Sequence, residues 1–264
     1  MLQPITIPMV SEIIRIGEVE IEVQRRGNGA PLLLLPGEDA LEIESPFLTR
    51  LAENHEVILL WPPGFGKSNR PEWVAMDDVP YLYLDVMARL GLNSVPVVGC
   101  SMGGWIAVEM ATRSDALMSR LVLVDPYGIK IGGPMDRDIA DIYMEHPTRL
   151  AALKWADPAK GQRDLVSRSD DELFIIARNI ESCARLCWEP YMHNPRLRRR
   201  LHRITKPTMF VWGEKDGIVT PDYGRAYAAG VSGARFELIA NAGHLPHIEQ
   251  TEAFFAAVDP FLSA

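Results

Sequence analysis

Val95-Pro96-Val97-Val98-Gly99-Cys100-Ser101-Met102-Gly103-Gly104-Trp105-Ile106-Ala107-Val108-Glu109-Met110 decides how the rest of the chain is read. A short apolar run ends at Gly99, and a helical pattern begins at Met102. Between them stands Gly-x-Ser-x-Gly, in the strand–turn–helix context that gives the pattern meaning. A turn this sharp holds Ser101 in a strained backbone conformation with its hydroxyl exposed. Gly99 and Gly103 leave room, because a Cβ at either place would collide with the neighbouring chain. The helix from Met102 aims its first N–H groups and its positive dipole end at negative charge beside Ser101. A glycine-rich turn without chemistry is the plain alternative, and the flanking strand and helix weigh against it.

Similar apolar runs recur on both sides of this stretch. Leu32–Leu35, Val57–Leu60 and Leu121–Val124 lack alternation and are bounded by turn residues, as strands buried on both faces are. Helical patterns lie between them at about 44–54, 77–91 and 102–113. Met209–Trp212 and Phe236–Ile239 resume the strand series. Ile13–Ile16 and the alternating Val19–Gln24, with Gly17 between them, read as an opening antiparallel hairpin. Strand alternating with helix predicts an α/β fold: a mostly parallel central sheet of about eight strands with helices on both faces. From 131 to 203 only helical patterns are found. Leu150, Leu153 and Trp155 stand in one, and Leu173, Ile176, Ile180 and Cys183 make the face of another. The expectation is a core of 1–130 and 204–264 and a helical cap insertion, 131–203, covering one edge of the sheet.

The chain has 264 residues, 47% hydrophobic and 23% charged, with a net charge of −8. These values exclude disordered and fibrous classes, and the acidic balance argues against nucleic acid and anionic membranes as partners. The basic run Arg196–Arg203 reads as the wet face of a surface helix, since Leu197, Leu201 and Ile204 form an apolar stripe beneath it. Three cysteines, Cys100, Cys183 and Cys187, make no disulfide framework and read as reduced, buried thiols. No signal-peptide pattern or membrane-length apolar run is found, so a cytoplasmic location is expected. Neither metal nor organic cofactor is implied. The expected partner is a small-molecule substrate, and a homodimer stays open.

A serine hydroxyl needs a base, and the base an orienting acid. Asp216 follows the strand Met209–Trp212 and His244 follows Phe236–Ile239, both at carboxyl ends, where open α/β sheets bind ligands. His247, after Pro246, is the rival base and reads as a capping or surface residue. Asp125, before Pro126, is the rival acid and reads as a turn residue.

Leu33-Leu34-Leu35-Pro36-Gly37, Pro63-Gly64-Phe65-Gly66-Lys67-Ser68, Gly99–Gly104, Trp212–Asp216 and Asn241-Ala242-Gly243-His244 together resemble the α/β-hydrolase fold superfamily. The resemblance covers about 10–130 and 204–264, and 131–203 matches that family's variable cap by position alone. It implies a catalytic triad of Ser101 as nucleophile, His244 as general base and Asp216 as its orienting acid. It also implies an oxyanion hole from the backbone N–H groups of Met102 and Glu38. The chain departs from many members at Pro36-Gly37, where they have His-Gly, and Glu38-Asp39 follow. The reading adopted turns both acidic side chains to solvent and lets Glu38 serve through its backbone.

The implied activity is hydrolysis of an ester, lactone or thioester of a small to medium apolar substrate through an acyl-enzyme, by a carboxylesterase-like enzyme. Carbon–carbon bond hydrolysis, cofactor-free perhydrolysis or acyl transfer with the same triad, and a ligand-binding pseudoenzyme stand as alternatives. Trp155, Phe174, Trp188 and Tyr191 are expected to line the substrate pocket from the insertion.

Overall fold

The computed structural model describes residues 9–38, 46–133, 135–162 and 164–264. The opening hairpin forms from β1 (Val10–Ile16) and β2 (Val19–Arg26), paired antiparallel with Ile16 opposite Val19. Gly17 makes the turn at φ +58°, a conformation that costs glycine little. The inward set of the alternation, Val19, Ile21 and Val23, is fully buried.

The continuous apolar runs become the inner strands β3 (Ala30–Leu35), β4 (His55–Leu60), β5 (Val95–Cys100), β6 (Met118–Val124) and β7 (Thr208–Gly213), with β8 (Arg235–Ile239) at one edge. The sheet runs β1-β2-β4-β3-β5-β6-β7-β8. β2 meets β4 antiparallel, and every pair from β4 to β8 is parallel. Around the sheet pack α1 (Pro46–Asn54), α2 (Val79–Arg89) and α3 (Met102–Arg113). α3 is buried from Met102 to Thr112, as the central helix of two packed layers. Burying one Val, Leu or Ile side chain contributes about 1.5–3 kcal/mol, and Ile106 and Val108 of α3 are both fully buried.

The parallel register brings five strand ends to one side. Leu35 stands beside Gly99, Cys100 beside Val124, Val124 beside Val211, and Gly213 beside Ile239. The loops after β3, β5, β6, β7 and β8 therefore converge.

Between β6 and β7 come α4 (Pro147–Lys154), a 3₁₀ turn at Pro158–Gly161, α5 (Asp170–Cys187) and a 3₁₀ helix at Leu197–Arg203. Among the described residues this segment adds no strand to the sheet. Its α4 meets the loops after β7 and β8, and its α5 the loop after β4. Leu153 O accepts from Gly217 N, and Lys154 O accepts from His244 N at 2.7 Å.

The buried face of α5 also differs from the expected one. Asn179, Ser182, Cys183, Leu186 and Cys187 are buried, whereas Ile180 is exposed. The seam there is polar. Asn179 Oδ1 accepts from Gly66 N, Ser182 Oγ donates to Gly64 O, and Arg178 donates to Gly66 O and Ser68 O. Gly64 and Gly66 have positive φ, and a Cβ on Gly64 would stand 2.4 Å from Ser182 Oγ. A hydrophobic count has no access to such a seam. The basic run behaves as expected on its inner side: Leu197, Leu201 and Ile204 are buried, and Arg203 donates to Thr112 O at the end of α3.

After β7, α6 (Pro221–Ala228) leads to β8, and α7 (Pro246–Glu249) and α8 (Thr251–Ser263) end the chain. No described helix is long and apolar enough to cross a membrane. All three cysteines are free and buried.

Candidate active site

Ser101 sits on the turn between β5 and α3 at φ 51°, ψ −116°. That lies outside the regions L-residues favour and costs of order 1–3 kcal/mol. The surroundings enforce it: Ser101 N donates to Val124 O at 2.8 Å, and Ser101 O accepts from Trp105 N. A Cβ on Gly103 would lie 2.1 Å from Leu35 O, and one on Gly99 2.7 Å from Gly103 O. Only glycine fits at either place, as the sequence implied.

His244 Nε2 stands 2.7 Å from Ser101 Oγ, and His244 Nδ1 stands 2.8 Å from Asp216 Oδ2. An ionised carboxylate has no proton to give, so Nδ1 carries the hydrogen and Nε2 faces the hydroxyl. Asp216 is aimed by its other oxygen, which accepts from Ile218 N at 2.8 Å and Val219 N at 3.1 Å. The side chains of His244 and Asp216 are fully buried. Glu249 steadies the loop before His244, accepting from Gly243 N, Ala156 N and Asp157 N.

The structure corrects the reading of Glu38. Its side chain is 9% exposed and points inward. Oε2 accepts from Ser101 Oγ at 2.8 Å, Oε1 accepts from Tyr127 Oη at 2.9 Å, and Lys154 Nζ stands 3.6 Å from Oε1. Burial, the largest single influence, favours the neutral form of Glu38. Lys154, His244, the Glu38 N–H and the Ser101 hydroxyl together outweigh burial and hold the carboxyl at about 2. Asp39 lies outside the described residues.

Residues 32–258 match the alpha/beta hydrolase family. The chain belongs to that family. It is 26% identical to a 2-hydroxy-6-oxononadienedioate/2-hydroxy-6-oxononatrienedioate hydrolase of Paraburkholderia xenovorans, over 98% of this chain and 97% of that protein. It is 27% identical to an sn-1-specific diacylglycerol lipase of Mus musculus, over 67% of this chain and 62% of that one. Among solved structures, a meta-cleavage product hydrolase of Pseudomonas fluorescens IP01 superposes with a TM-score of 0.74 at 18% identity, covering 96% of this chain and 97% of that one. This last likeness speaks for the fold.

In this alpha/beta hydrolase the two rivals named from the sequence have other places. Asp125, at φ 43° and fully buried, accepts from Gly213 N at 3.0 Å and so ties β6 to β7. Burial first, and the Asp216 charge second, push its carboxyl well above the usual range. Asp125, Asp216 and His244 bring one ligand atom each within 4.8 Å of one another, a set that could hold a cation. Within this group His244 Nδ1 and Asp216 Oδ2 are 2.8 Å apart. His247 is neither surface nor cap: it is buried, with the ring of Phe47 4.7 Å away, and burial above all holds its imidazole down at about 3.

The pocket expectations fare unevenly. Phe174 is 67% exposed, because it precedes the point at which α5 meets the core at Asn179. Trp188 is 55% exposed and packs on Tyr143 and Tyr191. Tyr191 is partly buried and bonds Ala140 O and Ile142 N. Trp155 is buried, and Gly161 makes room for its ring. None of the four has a described contact with Ser101. The side chains that do gather there went unread in the sequence: Tyr127, stacked on His244 at 5.3 Å, and Lys154, 3.6 Å from Glu38. No spacing signal marks them, since each comes from a different segment.

Proposed function

We propose that this hydrolase cleaves an ester, lactone or thioester through an acyl-enzyme on Ser101. The observation that carries the reading is the unbroken chain from Ser101 Oγ to His244 Nε2 at 2.7 Å and from His244 Nδ1 to Asp216 at 2.8 Å, on a strained elbow. Ser101 Oγ bonds to the carbonyl carbon while its proton passes to His244 Nε2. The imidazolium, stabilised by Asp216, returns that proton to the departing alcohol or thiol as the carbon–heteroatom bond breaks. Water then repeats the sequence, losing a proton to His244 and releasing the acid and Ser101. The oxyanion is received by the Met102 N–H, which has no partner within α3, and by the Glu38 N–H once it is released from its own carboxylate. Residues 131–203 act as the cap, with Lys154 brought to the site from its α4.

Carbon–carbon bond hydrolysis is the second reading, favoured by the similarity to the Paraburkholderia enzyme over nearly all of both chains. The dioate in that enzyme's name carries two carboxylates, and the Glu38 carboxylate beside Ser101 opposes such a group, so ester cleavage is preferred.

Ser101→Ala tests the proposal. The account expects kcat for a simple ester to fall by about 10⁶ with the thermal melt unchanged. Turnover within tenfold of the parent removes it.

A further inference from the structure

We infer that Glu38 forms a hydrogen-bond-accepting subsite for the acyl group, and that the preferred esters carry a hydroxyl on the carbon next to the carbonyl. The inference rests on the acyl-enzyme reading and names the substrate class of that same site.

It starts from a proton count. Ser101 Oγ lies 2.8 Å from Glu38 Oε2 and 2.7 Å from His244 Nε2. A hydroxyl has one proton, so the two acceptors compete for it. Attack sends that proton to His244, and acylation puts carbon in its place. Tyr127 and Lys154 are placed at Oε1. Oε2 then faces the oxygen of an ester, acceptor against acceptor, on a side chain 9% exposed. A buried carboxylate that loses its hydroxyl donor and keeps only Tyr127, Lys154 and its own N–H as partners is less well satisfied. The acyl-enzyme is therefore favoured when the acyl group brings a donor to that spot. A hydroxyl on the carbon next to the carbonyl stands three bonds from Oγ and reaches an atom already in contact with Oγ.

Charge separates a hydroxyl from an ammonium. Lys154 Nζ, 3.6 Å from Oε1, already balances Glu38. A second cation would sit unbalanced among buried groups, beside a His244 that becomes positive in each half of the reaction. An acidic substituent would meet the Glu38 carboxylate directly. A site that hydrogen-bonds a substrate hydroxyl rejects the analogue lacking it far more strongly than an apolar pocket rejects a missing methylene.

The experiment compares kcat/KM for phenyl esters of 2-hydroxypropionic, propionic, 2-methoxypropionic and 2-aminopropionic acids in the parent, Glu38→Gln and Glu38→Ala. The parent should prefer the 2-hydroxy ester over the propionyl and 2-methoxy esters by at least about tenfold, the scale of one hydrogen bond to a charged group. The 2-amino ester should do no better than the propionyl ester. The preference should vanish in Glu38→Ala and survive in part in Glu38→Gln, which keeps an acceptor without the charge. Thermal melts of both variants separate misfolding from altered choice. Equal rates for all four esters in the parent, preference for the amino ester, or a uniform loss across all four in the variants each overturns the inference. Phosphonate labelling of Ser101 without any such preference removes this inference alone. No turnover and no labelling remove the acyl-enzyme reading and this inference with it.

Discussion

On one side of Ser101 stand His244 and Asp216; on the other stands Glu38 with Tyr127 and Lys154. The first side is held by backbone. Asp216 is aimed by the N–H groups of Ile218 and Val219, and His244 is anchored through its own N–H to Lys154 O. The second side is held by side chains from three separate segments: the loop after β3, the loop after β6 and the end of α4. Backbone at the ends of parallel strands is rigid and repeats from sheet to sheet. Side chains from distant segments set what is particular to one chain. If the proposals above hold, reaction class and substrate choice are encoded by different kinds of structure within a few ångströms.

Substitutions on each side break or sharpen that contrast. The largest effect should come from Asp216→Asn, which favours the wrong tautomer of His244 and should lower kcat by about 10⁴. Steady-state rates on any accepted ester check this, and a loss below tenfold would move the orienting role to Asp125.

Second is acid stability, which reads the packing of His247 behind the His244 loop. His247 is depressed to about 3 when folded and returns to its ordinary value of 6.5 when unfolded. A depressed folded value means stability present above 6.5 and lost as pH falls toward 3. The loss should reach about 2 kcal/mol by pH 5. His247→Phe should flatten the dependence of urea midpoints on pH across this window, and parallel curves for variant and parent would refute it.

Third, Tyr127→Phe frees one oxygen of Glu38 while keeping the ring on His244. A tenfold change in kcat/KM is expected, about the value of one charged hydrogen bond. The 2-hydroxy ester should be affected most, and an equal effect on every ester would leave the two sides of Ser101 undistinguished.

The smallest effect should come from Asp125→Asn. The folded carboxyl is raised, so its contribution is full below the ordinary carboxylate value and declines as pH rises toward the folded one. The amide keeps an acceptor for Gly213 N and cannot ionise. The stability difference, variant minus parent, should therefore grow from pH 5 to pH 8. Chemical unfolding at the two pH values measures it, and a shrinking difference contradicts the sign.

The backbone-held side was legible because its signals are local. Ser101 lies in a five-residue pattern after an apolar run, and Asp216 and His244 each follow a strand that its own composition marks. The inner strands were legible for the same reason, as continuous apolar runs between turn residues. Glu38 was legible as a position but not as a direction. Its inward turn depends on Tyr127, 89 residues away, and on Lys154 from a helix between β6 and β7. The buried face of α5 escaped for a related reason: Asn179 and Ser182 are polar and satisfied by the backbone of Gly64 and Gly66. His247 escaped because burial of a histidine among Phe47 and Phe254 has no periodic signature.

The central claim is that Ser101 Oγ becomes the acyl ester. The direct measurement is intact-protein mass after acid quench during turnover of a slowly deacylated phenyl ester, followed by mapping of the modified peptide. The account predicts one acyl adduct, on Ser101, formed as phenol is released and absent from Ser101→Ala. Full phenol release with no adduct on Ser101, and the same release from Ser101→Ala, would contradict it.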